Sequence, residues 1–276
     1  MFNQRWRSHR SYYRHADEVI NTREYEVAPM TGDSEAKAFV EKEHYSKSYV
    51  AARFRFGLWN HGLLAGVAVF SHPCNDSALT NVFKCPALMA VELGRFVLRD
   101  SVPGNGETWF LARCFEHLRK STDLIGVLSF SDPIPRRKTT GEVVMPGHIG
   151  TIYQAHNGRY LGLSTPRTVL LLPDGSVLSA RAVQKIRALE SGWKYASAIL
   201  QRFGAAPLTG DPVAWLGTWL PRLTRKVRHP GAHKYAWPLR RSAEKILPSA
   251  LAYPKFQPLF CAHQRTESPW SFGASV

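Results

Sequence analysis

Along the first third of the chain, apolar and polar residues follow patterns that predict a strand, a helix and a hairpin. The run YEVAPM (25–30) predicts a short strand. Asp33 or Ser34 then caps a helix that carries an apolar face and ends near His44-Tyr45. In residues 53–71, two β-prone runs flank the Asn-His-Gly triplet at 60–62, which predicts a hairpin with a tight turn.

The middle of the chain has the pattern of a strand, a helix and a second strand. LMAVELGRFVLRD (88–100) predicts a strand, and the turn PGNG (103–106) leads into an amphipathic helix over 107–120. LIGVLSFSD (124–132) is nearly all apolar, which is typical of a strand in the middle of a sheet. A helix is expected in the segment IGTIYQAHN that follows.

The last part of the chain begins with short strands and continues as helix. YLGLS predicts a strand, and RTVLLLPDGSVLS predicts a hairpin about Asp174-Gly175. Residues 179–205 have helical spacing with a break at Gly192. From residue 206 onward, Trp, Arg and Pro dominate.

These elements predict a mixed α/β (α+β) fold, with a mixed central sheet flanked by helices and a basic C-terminal extension. We expect a flexible basic arm over 1–24 and a catalytic domain over 25–178. We expect residues 179–276 to form a helical, basic extension that packs on this domain.

Charge narrows the choice of partner. The 36 Lys and Arg side chains exceed the 21 Asp and Glu side chains and give a net charge of +15, which favours a polyanion such as DNA. No apolar run is long enough for a membrane helix and no signal core is present, so a cytoplasmic protein without a membrane partner is expected. Four cysteines stand at spacings that match no zinc pattern: Cys74, Cys85, Cys114 and Cys261.

The strand that ends in SDP is followed by GHIGTIYQAHNGRYLG (147–162), a segment unusually rich in glycine, histidine and tyrosine. Open α/β sheets bind ligands at the carboxyl ends of strands, so Asp132 is a candidate site residue. An Asx turn explains Asp132 equally well. Tyr153 and His148 fit either a site or the core.

The glycine-rich turn before the helix at 107–120 is a candidate anion site, because a helix N-terminus presents N–H groups and a positive dipole end. The order of elements resembles the GNAT acyltransferase fold. In that fold this turn and helix hold the pyrophosphate of coenzyme A, which would assign Gly104, Asn105 and Gly106 to cofactor binding. An ordinary β–α turn remains the alternative.

Several motifs together are similar to the Mom family of phage DNA-modification proteins. They are His44-Tyr45, ELGRFVL, FSDP, GHIGTIYQAHNGRYLG and HPGAHKYAWPL, and the resemblance spans about residues 25–245. The resemblance implies an enzyme that places a small amide-bearing group (methylcarbamoyl or acetamido type) on adenine N6 of double-stranded DNA. This modification protects phage DNA from host restriction.

By motif, the resemblance assigns site roles to five residues: His44, Tyr45, Arg95, Asp132 and Tyr153. It also implies acetyl-CoA as the acyl donor and leaves iron open. His44, Asp132 and His148 are the candidate iron ligands, because a facial triad needs two histidines and one carboxylate. Within an apolar strand, Arg95 should pair with Asp132 or with a ligand phosphate.

Two basic segments are candidate DNA contacts. The segment between SDP and GH is longer than the family pattern leads us to expect, and it reads equally well as a DNA-contacting loop or a neutral surface insertion. The second segment surrounds a Pro-Gly turn near the C-terminus. The candidate residues are Arg136, Arg137, Lys138, Arg225, Lys226, Arg228, His233 and Lys234.

Two other functions fit parts of the sequence. One is a coenzyme A-dependent N-acetyltransferase that acts on a small amine or a protein. The other is a DNA-binding protein without enzymatic activity. Acetyl transfer in the absence of DNA would identify the first, and salt-sensitive DNA binding that survives substitution of Asp132 and Tyr153 would identify the second.

Overall fold

The computed structural model describes residues 2–7, 10–15, 17–73 and 75–255. Strands dominate it. They are β1 (Phe2–Arg7), β2 (Arg10–His15), β3 (Tyr25–Pro29), β4 (Ala52–Asn60), β5 (Leu63–Ser71), β6 (Ala90–Leu98), β7 (Gly126–Ser131), β8 (Arg136–Arg137), β9 (Val143–Met145), β10 (Arg159–Leu163), β11 (Arg167–Leu171), β12 (Val177–Leu178), β13 (Arg225–His229) and β14 (His233–Pro238).

Seven of the described α-helices lie between these strands in the chain, and an eighth follows β14. They are α1 (Asp33–Glu43), α2 (Ser77–Phe83), α3 (Gly106–Ser121), α4 (Thr151–Ala155), α5 (Ala180–Arg187), α6 (Trp193–Gln201), α7 (Pro212–Leu223) and α8 (Arg241–Ile246). None of the described helices is long and apolar enough to cross a membrane.

Seven strands form the central sheet in the order β10-β14-β7-β6-β5-β4-β3. Within the described residues, β6 and β7 pair in parallel and the other neighbours pair antiparallel. Helix α3 connects the parallel pair and buries its apolar face, including Phe110, Leu111 and Leu118, against the sheet. The predicted mixed α/β fold with a mixed sheet and flanking helices is confirmed.

The parallel pair opens along its length. In the described part of the chain, the β6–β7 ladder joins residues 90–92 to 126–128 and does not continue. Beyond it, β6 stays paired with β5, and β7 stays paired with β14. Each strand therefore turns one edge toward a gap, and that gap becomes a cleft in the middle of the sheet.

Strand β14 shows that the basic C-terminal region is not an appendage. Residues 233–238 pair with all six residues of β7 and separate β7 from β10. Tyr235, Ala236 and Trp237 are almost completely buried. The boundary expected at residue 178 therefore does not follow strand pairing, because the apolar side chains of HKYAWP outweigh its basic residues. Residues 256–276 of the expected extension lie outside the described residues.

Residues 164–232 form an insertion between the neighbouring strands β10 and β14. The backbone N–H of Ser164 donates to the carbonyl of Ala232 at 2.8 Å, which closes the insertion at its base. A three-stranded sheet in the order β12-β11-β13 packs under α5, α6 and α7. Its separate core contains Leu172, Ile186 and Leu200. The helix break at Gly192 is confirmed, with φ at 85°.

The N-terminal segment differs from the flexible arm that its composition predicts. β1 and β2 pair antiparallel from Phe2↔His15 to Arg7↔Arg10. Arg5 is only 8% exposed, and its Nε donates to Glu107 at 2.7 Å near the start of α3. Ile20 lies in the main core. A buried ion pair and a core side chain anchor the segment to the domain.

Candidate active site

The cleft between β6 and β7 has a volume of about 1220 Å³. Strand β6 contributes Glu92 and Arg95 to its wall, and the loop after β7 contributes Asp132. Tyr45 and Tyr153 reach the same space from the loop after α1 and from α4. His44 also lines it, so the cleft gathers all five residues singled out by motif, together with Glu92.

Tyr45, which lines the cleft, pairs with His148. The Tyr45 hydroxyl lies 3.2 Å from His148 Nε2, and the rings meet edge to face. Burial raises the pKa of the Tyr45 phenol well above its usual value. Burial also lowers the pKa of His148 to about 4. Both side chains are therefore neutral at pH 7, and the hydrogen bond joins a phenol to an imidazole.

His44 lies beside this pair but points to its own loop. The backbone N–H of Ser46 donates to His44 Nδ1 at 3.1 Å, which leaves the ring proton on Nε2. Burial, followed by the charge of Arg95, holds the pKa of His44 well below its ordinary value. His44 is consequently a neutral side chain that shapes the loop and stacks on Tyr45 at 4.2 Å between ring centroids.

Asp132 is an ionised carboxylate whose two oxygens both have donors. Arg136 donates to Oδ2 at 2.7 Å, His229 Nε2 lies 2.9 Å from Oδ1, and the Ile134 N–H donates to Oδ1 at 3.0 Å. Burial by itself would raise the pKa of Asp132, but these hydrogen bonds hold it below its usual value. The bond from Ile134 is that of an Asx turn, so the alternative explanation of Asp132 also applies.

His229 is a site residue that the sequence analysis missed. It lies at the end of β13, is 3% exposed and approaches Asp132 from the insertion. Its neighbour in the chain, Arg228, was assigned to DNA instead. The sequence feature that could have indicated His229 is its position just before a Pro-Gly turn. No local pattern, however, predicts its contact with Asp132.

Glu92 is the second residue that was missed. It stands three positions before Arg95 in ELGRF, at the point where β6 leaves β7. Burial raises the pKa of Glu92 to about 7, against the opposing influence of Arg95. Among the cleft carboxyls, Glu92 can therefore exchange a proton near neutral pH, whereas Asp132 stays ionised.

Arg95 binds neutral groups on the rim of the cleft. Its Nε donates to the Ser48 carbonyl at 2.8 Å, and its Nη2 donates to the Ser48 hydroxyl at 2.9 Å. A third bond runs to the carbonyl of Gly94 at 2.6 Å. The expected partner, Asp132, is held by Arg136 and His229. Arg95 is half-buried, and the oxygens of Ser48 and Gly94 accept the hydrogen bonds described for its guanidinium.

Tyr153 owes its position to the glycine-rich segment. Gly150 precedes α4 with φ at 76°, and a Cβ there would lie 2.7 Å from the Tyr235 ring and 2.9 Å from the Tyr153 ring. Tyr153 is 9% exposed, packs against Tyr235 and Trp237, and has a phenol pKa that burial raises. The segment is thus a wall of the cleft in which glycine lets two tyrosines approach the backbone.

A smaller chamber of about 120 Å³ adjoins the cleft and shares Tyr45, Phe96 and Tyr153 with it. Arg5 and Glu107 are among its lining residues. Apolar side chains such as Phe96 and Ile152 line much of the remainder. The chamber has room for a small group.

The turn assigned to coenzyme A is filled by the protein's own N-terminal segment. The Glu18 carboxylate accepts from the Gly104 N–H at 2.9 Å, and Asn105 Oδ1 accepts from the Ile20 N–H at 2.8 Å. A Cβ on Gly104 would lie 2.0 Å from the carbonyl oxygen of His15. In this arrangement the turn at Gly104, Asn105 and Gly106 does not fit a diphosphate.

The three candidate iron ligands do not form a metal site either. His148 bonds to Tyr45, His44 Nδ1 bonds to Ser46, and Asp132 is held by Arg136 and His229. Over the described ranges, no group of three or more His, Cys, Asp or Glu side chains could hold a metal ion.

The candidate DNA contacts fall into three groups, on β13, around the β8–β9 hairpin and on β14. On β13, Arg225, Lys226 and Arg228 are exposed. Around the β8–β9 hairpin, Arg136 pairs with Asp132, Arg137 donates to the Gly141 carbonyl, and Lys138 pairs with Glu142.

In the segment after the Pro-Gly turn, Lys234 is half-buried on β14. His233 is 8% exposed, with its Nδ1 2.9 Å from the Tyr160 hydroxyl. His233 is therefore a buried ring, which argues against the expected phosphate contact.

Two acetyltransferases are among the solved structures that this chain is similar to. A GNAT family N-acetyltransferase from Escherichia coli, solved with CoA, has 12% sequence identity and a TM-score of 0.31, and the match covers 43% of this chain and 67% of that protein. An acetyltransferase from Bacillus subtilis, also solved with CoA, has 10% identity and a TM-score of 0.32, with 78% and 97% covered. No curated protein matches the chain.

The comparison with protein families agrees with the motifs around the cleft. The sequence model of the Mom protein family matches residues 24–210, more than half of the chain. The matched range contains the cleft residues His44, Tyr45, Glu92, Arg95, Asp132 and Tyr153. This chain belongs to the Mom protein family.

Proposed function

We propose that this protein is a DNA-modifying transferase that places a small amide-bearing group, of the methylcarbamoyl or acetamido type, on adenine N6. The observation that supports this most is the convergence of Tyr45, Glu92, Asp132 and Tyr153 on one cleft in a Mom family chain. The modification would protect phage DNA from host restriction.

Glu92 is the proposed general base. The exocyclic amine of adenine is a poor nucleophile because its lone pair is delocalised into the ring, so its reaction needs a base close to the attacking nitrogen. A carboxyl group with a pKa of about 7 is half ionised at neutral pH and accepts a proton more readily than an ordinary glutamate. As the new N6–C bond forms, one N6–H bond breaks and its proton passes to Glu92. The leaving group of the donor keeps the electron pair of the bond that breaks.

Asp132 has the proposed role of orienting the base. Because Arg136 and His229 fix its carboxylate, it can accept a hydrogen bond from the second N6–H without taking the proton. Tyr45 and Tyr153 keep their phenol protons at neutral pH and can donate to oxygen on the transferred group. Their rings also offer stacking surfaces for an adenine extruded from the duplex.

The donor is proposed to place its small transferable group in the 120 Å³ chamber, next to Tyr45 and Tyr153. Acetyl-CoA remains the donor that the family resemblance suggests. Because the turn before α3 does not fit a diphosphate while residues 15–20 occupy it, no step is assigned to coenzyme A.

The test is to express the protein in bacteria, digest total DNA to nucleosides and analyse them by mass spectrometry. We expect a deoxyadenosine that is heavier by the amide-bearing group, absent from cells that carry Glu92→Gln. Unmodified DNA from well-folded protein, together with acetyl transfer to amines, would replace the proposal with an ordinary acetyltransferase. Unmodified DNA with tight, salt-sensitive DNA binding would replace it with a DNA-binding protein.

A further inference from the structure

The insertion of residues 164–232 carries a large share of the positive charge. It contains ten Arg and Lys side chains and three Asp and Glu side chains, so it provides +7 of the total net charge of +15. It also has its own hydrophobic core, whose residues include Leu172, Ile186, Leu200 and Trp215. The insertion is thus a basic unit with its own hydrophobic core, placed between two strands of the central sheet. Such a unit offers a surface for contact with a polyanion.

The two faces of the insertion's three-stranded sheet lie against different parts of the protein. Leu170 packs into the insertion's own core and stands opposite Lys226, so this face lies under the helices. Arg167 stands opposite His229, and His229 bonds to Asp132, so the other face looks toward the cleft. Side chains alternate along a strand, which places Arg225 on the same face as His229.

Arg167 and Arg225 therefore share the cleft-facing side. Arg167 is exposed and lines the cleft, and Arg225 is exposed at the other end of β13. In the described part of the chain, no carboxylate forms an ion pair with either guanidinium. Arg225 and His229 are four positions apart on β13, a distance of roughly 13 Å along the strand. Because Arg167 stands opposite His229, the two arginines are spaced by about this distance along the sheet. This corresponds to about four base pairs along B-form DNA.

We propose that the cleft-facing side of the insertion, through Arg167 and Arg225, binds the phosphate backbone of duplex DNA beside the adenine that enters the cleft. This inference rests on the proposed function, because it takes DNA as the substrate. It narrows the predicted contacts on β13 to one face: Arg225 contacts phosphate, whereas Lys226 and Arg228 point to the other side of the sheet. Arg167, which the sequence analysis did not select, joins the contact surface.

The test uses the full chain, a labelled duplex of about 24 base pairs and a series of salt concentrations. The variant Arg167→Gln/Arg225→Gln should bind the duplex about tenfold more weakly at moderate salt, and the slope of log K against log salt should fall by about two. The matched control is Lys226→Gln/Arg228→Gln, which removes the same charge from the same small sheet. Its affinity should stay within about threefold of the unmodified protein.

Equal losses in the two double variants would overturn the proposal, since they would show bulk attraction without a preferred face. Unchanged affinity of the Arg167→Gln/Arg225→Gln variant would also overturn it. All four side chains are exposed, so we expect the glutamine variants to remain folded. The variant Arg167→Lys/Arg225→Lys keeps both positive charges and should bind the duplex with most of the affinity of the unmodified protein. If the unmodified protein fails to bind DNA or to modify adenine, the proposed function fails. If it does both while the cleft-facing variant binds normally, only this inference fails.

Discussion

His229 Nε2 lies 2.9 Å from Asp132 Oδ1, although 97 positions separate the two residues in the chain. One comes from the insertion and the other from the loop after β7. Arg136 holds the second carboxylate oxygen. The orientation of Asp132 in the cleft therefore depends on how the insertion packs against the central sheet.

Substitution of His229 by alanine should weaken this orientation. Loss of a hydrogen bond to a charged group costs about 1.5–3 kcal/mol, so the modification rate should fall by roughly tenfold or more. The pKa of Asp132 should rise, because one of the bonds that lower it is removed. His61→Asn, in the exposed turn of the β4–β5 hairpin, is the control and should leave the rate unchanged. An equal rate in His229→Ala would remove His229 from the site.

The same pair sets the response to acid. The folded-state pKa of Asp132 is below the unfolded value, so its contribution to stability is present above the unfolded pKa and is lost as the pH falls through the folded pKa. Chemical denaturation should show stability falling below about pH 4. His229→Ala should lose less stability over that range. A loss as large as in the unmodified protein would show that other carboxyls dominate acid unfolding.

Asp132→Asn and Tyr153→Phe should each reduce modification by about 100-fold or more, since each removes one polar group from the proposed reaction centre. DNA affinity should change little in both variants, and Tyr153→Phe should keep nearly the thermal stability of the unmodified protein. Nucleoside mass spectrometry gives the rate, and duplex binding gives the affinity. Full modification by both variants would mean that the chemistry takes place elsewhere.

Glu92 should give the reaction its dependence on pH. A base with a pKa of about 7 predicts a rate that rises with pH and reaches half of its plateau near neutrality. Glu92→Gln should lose activity and this dependence together. Single-turnover rates between pH 5.5 and 8.5 measure both. If the rate of Glu92→Gln still rises with pH as far as that of the unmodified protein, another group takes the proton.

Glu92 also has a consequence for stability. Its folded-state pKa is raised, so the protein is most stable while Glu92 is protonated and loses stability as the pH rises from the unfolded value through about 7. The shift corresponds to at most about 3.5 kcal/mol. Glu92→Gln should therefore be the more stable protein at pH 8 in a denaturant titration. Equal stability at that pH would contradict the burial of a charged Glu92.

The Arg5–Glu107 pair should be important for stability. Arg5 Nε donates to Glu107 at 2.7 Å, and the two side chains are 6% and 2% exposed. Removing one partner of such a pair costs about 3–5 kcal/mol because the other charge stays buried. Arg5→Met and Glu107→Met should each destabilise the protein, and the double variant should lose far less than the sum. Additive losses would show that the two side chains do not interact.

Release of the same segment should change donor binding. Because residues 15–20 occupy the turn before α3, the unmodified protein should bind CoA weakly, and Glu18→Ala should bind it more tightly. Calorimetry with CoA measures both affinities. Tight binding that Glu18→Ala leaves unchanged would place the diphosphate elsewhere on the protein.

Gly150→Ala should impair activity through Tyr153. A Cβ at position 150 would press against the rings of Tyr235 and Tyr153, and the backbone there has φ at 76°. We expect a loss of about 1–3 kcal/mol in stability and a larger relative loss in modification rate. Gly141→Ala is the matched control, with φ at 88° and nothing within 4 Å of the added carbon. Equal effects of the two substitutions would mean that backbone strain alone is responsible.

The sequence by itself determined the elements that depend on nearby residues. The turn at His61-Gly62, the break at Gly192 and the buried strand β7 all follow from local conformational preference or from a run of apolar side chains. The motifs also identified the family and brought Tyr45, Asp132 and Tyr153 into one predicted site, because a motif preserves residue types even where their contacts are distant.

Only the tertiary structure decided which groups meet. Strand β14 enters the central sheet because burial of Tyr235 and Trp237 stabilises the fold by more than the desolvation of the neighbouring charged residues destabilises it. The charge composition had instead predicted an extension outside the sheet. The approach of His229 to Asp132, of Glu18 to Gly104 and of Arg5 to Glu107 each joins distant parts of the chain. Such contacts depend on strand order and packing. A local pattern of residues contains no information about either, so it cannot predict them.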